Sequence, residues 1–132
     1  MGPFFWDTSA FVSLVFVEPQ SERASRAMAE GETHHAWDWM AVEANAALMR
    51  RGATPAHHAL LKVHLSRMHW HTLPPEALDQ IIHKNRDWKL RAADAGHLFC
   101  LQQLHLVDRR FQLISFDEEM CRAAKSNGMT VL

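Results

Sequence analysis

Residues 112–121 read QLISFDEEMC: an apolar, strand-like segment runs into a helical one, and Asp117 stands at the join. The chain opens in the same way, with Phe4, Phe5 and Trp6 leading into Asp7 and then into the helical run TSAFV. A short, fully apolar run suits a strand buried on both faces, as in a parallel sheet covered by helices. Asp is a favoured N-cap, so capping alone accounts for either acid taken singly. In open parallel sheets, functional groups also gather beyond the carboxyl ends of the strands, where the following helices begin. Both aspartates occupy that position.

The rest of the chain alternates in the same manner. The helix from Thr8 is expected to continue through TSAFVSLVFVE, with Pro19 opening a second one that closes at Gly31. Thr33 to Ala36 form a second strand, and Asp38 precedes WMAVEANAALMRRG, whose Ala, Leu and Met content and terminal Gly52 predict a helix. Thr54 caps a further helix with Pro55 at its first position. A brief strand over His71 to Leu73, a helix beginning at PPEALDQ, and a long amphipathic helix over Arg91 to Val107 follow. Phe111 to Phe116 is the clearest strand, Asp117 to Asn127 is helical up to Gly128, and Met129 to Leu132 make a last strand. Strands alternating with helices predict an α/β fold: three layers, α/β/α, around a mainly parallel sheet of four to five short strands.

Composition narrows the class. With 132 residues, 48% hydrophobic and 22% charged, the chain suits one globular domain over residues 1–132, and nothing in it marks a linker or repeat. No apolar run reaches the roughly 20 residues of a membrane span, and the start lacks the basic region and cleavage site of a signal peptide, so the expected setting is cytoplasmic. Cys100 and Cys121 lack metal-type spacing and read as packing residues of a reducing compartment. The net charge of −1 excludes nucleic-acid binding driven by the whole surface; a basic patch would have to be local. Ten His residues stand out, but pairs such as His34-His35 and His57-His58 are adjacent and point in different directions, which argues against a shared transition-metal site.

Two further acids fall on faces that are otherwise apolar. Asp94 shares a helical stripe with Leu98, Leu101 and His105, with His97 one turn along, and Glu43 aligns with Met40, Ala47 and Arg50. A buried carboxylate needs a cation, hydrogen bonds or a metal. Arg50 or Arg91 could supply a salt bridge to Glu43 or Asp94. Alternatively, several acids brought together would raise one another's pKa until a divalent cation reversed the penalty, and oxygen ligands select Mg²⁺ or Mn²⁺ over zinc.

The segments FFWDTSAFVSLVFVE, AVEANAALMRR, LRAADAGHLFCLQQ and LISFDEEMCRAAKSNGMTVL resemble, in order and over nearly the whole chain, the motifs of PIN-domain ribonucleases. The likeness is greatest to the toxin subunits of VapBC-type toxin–antitoxin pairs. The resemblance implies that Asp7, Glu43, Asp94 and Asp117 are the catalytic, metal-binding carboxylates. Asp94 opens a pattern like DALHLA, and Asp117 ends one of the form T/S-x-D. Gly96 departs from the pattern, standing where a larger apolar residue is common, and is expected to loosen helix packing. Ser9 and Ser115, each two positions from an acid, are candidates to orient a carboxylate or a water, with capping or turn bonding as their alternative role.

On this resemblance the activity is Mg²⁺- or Mn²⁺-dependent hydrolysis of RNA phosphodiester bonds. Acids repel RNA, and Arg50, Arg86, Lys89 and Arg91 are the expected compensating contacts. The implied partners are the RNA substrate, a small cognate antitoxin and a second copy of the chain, with no membrane. Surplus tryptophans (Trp37, Trp39, Trp70 and Trp88) are available for such surfaces, although core packing also uses them. Two other readings use the same acids. One is a non-catalytic interaction module whose acids form structural ion pairs. The other is a receiver-like signalling domain, against which Lys125 counts because it falls within a helix rather than at a strand end.

Overall fold

The computed structural model describes residues 1–132. The elements run β1 (Phe4–Trp6), α1 (Thr8–Val12), α2 (Ser21–Glu30), β2 (His34–Trp37), α3 (Trp39–Arg50), α4 (Pro55–Leu65), β3 (His69–His71), α5 (Ala77–Trp88), α6 (Ala92–Val107), β4 (Gln112–Ile114), α7 (Glu118–Ser126) and β5 (Thr130–Val131). The sheet has five strands in the order β3-β2-β1-β4-β5, and every pairing is parallel. The chain steps from β1 to β2 and β3 on one side and returns to β4 and β5 on the other. The switch point therefore lies between β1 and β4, where a crevice opens at the strands' carboxyl ends.

Strand alternation divides the core in two. Phe4 and Trp6 of β1 face one way, onto Ala10 and Phe11 of α1, Ala24, Ala27 and Met28 of α2, Met40, Ala44 and Leu48 of α3, and Leu61 of α4. Phe5, between them, faces α5, α6 and α7, with Leu98, Leu101, Met120 and Ala124 around it. All three β1 side chains are fully buried, as the apolar run requires. The result is the three-layer α/β/α arrangement. No helix is long and apolar enough to cross a membrane.

Three sequence expectations are corrected. The first helix stops at Val12 instead of continuing to Glu18: Ser13 Oγ donates to Ala10 O at 2.6 Å, and Ser21 Oγ both donates to Phe16 O and accepts from Glu18 N, so side chains hold residues 13–20 in turns. The third strand is His69–His71, two residues earlier than His71 to Leu73, because pairing with β2 sets it (His35 with His69, Trp37 with His71). Gly96 does not loosen α6. A Cβ there would lie 2.4 Å from Cζ3 of Trp37, so the missing side chain is what lets the indole pack closely on the helix.

Candidate active site

Asp7 follows β1 and caps α1, its Oδ1 accepting from Ala10 N at 3.1 Å. Asp117 follows β4 and caps α7 through Met120 N, also at 3.1 Å. Because β1 and β4 are neighbours, the two caps stand side by side at the switch point. Glu43, midway along α3, and Asp94, in the first turn of α6, approach from opposite layers. All four carboxylates line a single cavity of about 270 Å³, together with Thr8, Ser9, Arg91 and Ala93. The acids predicted from sequence thus all line one cleft at the carboxyl end of the sheet, reached from both of its faces.

The two serines tie Asp7 to the segment that follows the neighbouring strand β4. Ser9 Oγ donates to Asp7 Oδ1 at 2.7 Å and accepts from Phe116 N, while Ser115 Oγ donates to Asp7 Oδ2 and accepts from Asp117 N. Asp7 is 2% exposed, and burial pushes its carboxyl above the usual range despite the bonds from Ser115, Ser9 and Ala10. Asp94 is also raised: burial and the Asp117 charge outweigh the pull of Arg91. Glu43 moves the other way. Burial raises it, but bonds from His97 and Thr8 and the positive charge of Arg91 leave it below its ordinary value.

Arg91 is the cation of the cleft. Its Nε lies 3.1 Å from Asp94 Oδ2 and its second guanidinium nitrogen 2.8 Å from Asp117 Oδ2, so it bridges two of the acids. Arg91 fulfils the expected pairing with Asp94, whereas Arg50, at the exposed end of α3, does not reach Glu43. As the side chains stand, no three His, Cys, Asp or Glu groups converge closely enough to hold a metal, and this includes the histidines. The donor chemistry nevertheless fits a hard divalent cation: carboxylates and hydroxyls line the cavity, two acids are strained by burial, and two already share a positive group. Asp7, Glu43, Asp94 and Asp117 are the residues that would hold such a cation.

Among the other cations, Arg86 and Lys89 are exposed, and Lys89 ends α5 in the left-handed conformation (φ 57°). Arg86 lines a larger cavity of about 830 Å³, with Leu73, Leu78, Ile81 and Ile82, on the other side of the first turn of α6. Size does not make that cavity the chemical site: its only acid, Asp38, is engaged by Thr72 at 2.7 Å. His97 and Thr8 both bond Glu43, a role the sequence did not suggest: Thr8 reads there only as a possible contributor to the helix cap, and His97 only as a neighbour of the Asp94 stripe. The signal was present in His97 falling one turn from Asp94 on the same helix.

The chain has a PIN-like fold: a three-layer α/β unit, here with carboxylates at the ends of its first and fourth strands. Solved structures share it. Mycobacterium tuberculosis VapC20, described as a sarcin-ricin loop cleaving toxin, superposes with a TM-score of 0.71 over 98% of each chain at 16% identity. PAE2754 from Pyrobaculum aerophilum gives 0.68 at 19% identity, over 92% of this chain and 84% of its own. No protein-family model and no curated protein matches by sequence.

Proposed function

We propose that the chain is an Mg²⁺- or Mn²⁺-dependent endoribonuclease and the toxin of a type II toxin–antitoxin pair. One observation carries the reading: carboxylates from four separate elements line one cleft at the switch point of a PIN-like sheet. The bound divalent cation would supply a nucleophile from water at neutral pH and offset charge on the scissile phosphate. The chain's own part is to hold the acids. Ser9 and Ser115 fix both oxygens of Asp7, and Thr8 and His97 fix Glu43. Arg91, 76% exposed, is able to leave Asp94 and Asp117 and swing to a phosphate, with Arg50, Arg86 and Lys89 as further RNA contacts.

The partners proposed with this activity are RNA, a small antitoxin and a second copy of the chain, in the cytoplasm. Trp39 and Trp70 are 47% and 38% exposed and available to such surfaces, whereas Trp88 is core. The ion pairs of Arg91 favour a second reading, a non-catalytic module. They are poor structural staples, because a largely exposed guanidinium is screened and contributes little. A receiver-like domain lacks support: Lys125 lies in the last turn of α7, not at a strand end.

The test is cleavage of RNA, including a sarcin-ricin loop oligonucleotide because VapC20 is described as cleaving that loop. Purified protein should cut in Mn²⁺ or Mg²⁺, stop in EDTA, and melt at higher temperature with Mn²⁺. Absence of both cleavage and metal-induced stabilisation across a panel of structured RNAs would sink the assignment.

A further inference from the structure

We infer that His97 is a positioning residue for Glu43, setting which carboxylate oxygen faces the cleft; this rests on the nuclease reading above. The side chain sits in α6 at 1% exposure, among the apolar residues of that helix's buried face. Its Nε2 meets Glu43 Oε1 at 2.5 Å, and Thr8 Oγ1 donates to the same oxygen at 2.8 Å. Two donors on one oxygen fix the carboxylate's rotation and leave Oε2 to the cavity that Glu43 lines.

The ring is placed from behind. Trp37 and the ring meet edge to face, centroids 5.1 Å apart at 84°, and Trp37 in turn packs closely on Gly96. The other nitrogen, Nδ1, is buried with no hydrogen-bond partner. A buried unpartnered nitrogen is unfavourable. The Nε2 contact with Glu43 is the feature that distinguishes His from a leucine or phenylalanine here. Groups that orient a metal-binding carboxylate through a hydrogen bond typically change metal affinity or activity by about 10- to 100-fold when removed.

The experiment compares wild type, His97→Leu, His97→Gln and Thr8→Val. Gln keeps a donor where the ring Nε2 stood, whereas Leu keeps the volume and loses the donor. Each protein is measured for melting temperature in EDTA, Mn²⁺ affinity by calorimetry, and kcat and KM on the RNA that wild type cleaves. His97→Leu should melt near wild type in EDTA, bind Mn²⁺ at least about tenfold more weakly, and lose kcat by a similar factor with KM for RNA unchanged. His97→Gln should recover most of both losses, and Thr8→Val should show a smaller loss of the same kind. The inference is overturned if His97→Leu stays within twofold of wild type, or if Leu and Gln are equally impaired and both melt early, which is packing alone. Should His97→Leu not fold, Thr8→Val and His97→Gln decide: wild-type metal affinity in Thr8→Val together with a dead His97→Gln overturns it. Wild type that neither binds Mn²⁺ nor cleaves RNA removes the nuclease reading itself, whereas active wild type with indifferent variants removes only the role of His97.

Discussion

Asp94→Asn separates a chemical acid from a structural one, because the structure sets the size of the stability change. The pair with Arg91 spans 3.1 Å, but the Arg91 side chain is 76% exposed, so its loss is that of a surface ion pair, about 0.2–1 kcal/mol. Against this, burial and the neighbouring Asp117 hold the Asp94 carboxyl above its ordinary range, and a neutral amide relieves that penalty. The two effects oppose, so the net change should stay within about 1 kcal/mol of zero. An unfolding entropy of about 2.1 cal/mol/K per residue gives roughly 0.28 kcal/mol/K for 132 residues, hence a Tm shift of no more than about 4 °C in EDTA. Cleavage in Mn²⁺ should collapse. If Asp94 were instead half of a buried structural pair, its removal would cost about 3–5 kcal/mol, a fall of roughly 11–18 °C. Calorimetry in EDTA beside a gel-based cleavage assay reads both quantities. A mutant that melts more than about 10 °C early and cleaves normally would refute the reasoning.

Gly96→Ala places a methyl against Trp37, and overpacking of about 1–3 kcal/mol should exceed the gain in helix propensity of about 1 kcal/mol, so urea titration should show an unchanged or lowered midpoint; a clear rise would mean the indole moves freely. Lys89→Gly should raise Tm by about 2–4 °C by relieving a left-handed φ, while RNA affinity falls if the ammonium touches phosphate; a salt titration of binding reads the second effect. Acid should destabilise the β2–β3 edge. Burial, then the charges of His71, His69 and His34, lower His35 to about 4, so the unfolded chain binds more protons between pH 6.5 and 4. Stability therefore falls as pH drops through that window, and His35→Gln should flatten a plot of Tm against pH; an unchanged slope would place the titration elsewhere.

Much of this molecule is legible in its sequence. The apolar triplet Phe4–Trp6 and the segment around Leu113 identify strands buried on both faces, because such runs have no polar side to give to water. Thr54 and Pro55 mark the start of α4 because capping is local chemistry, settled within a few residues. The acids could also be singled out: two by standing at strand ends, two by interrupting apolar helical faces. Whether they meet is another matter. Asp7 and Asp117 are adjacent only because β4 pairs with β1, and Glu43 reaches them only because α3 and α6 pack on opposite layers around the same switch point.

The remaining errors have the same origin. The third strand is placed by its register against β2, and Gly96 acquires its meaning from an indole 59 positions earlier in the chain, at Trp37. His97 looked like one more residue of an amphipathic helix until Glu43, 54 positions away, arrived at its Nε2. Sequence by itself determined the order and type of the elements, much of their burial and the chemical types of the site, since periodicity and capping act over one or two turns. Tertiary structure decided the pairings, since hydrogen bonds between distant side chains depend on where the sheet order carries each strand.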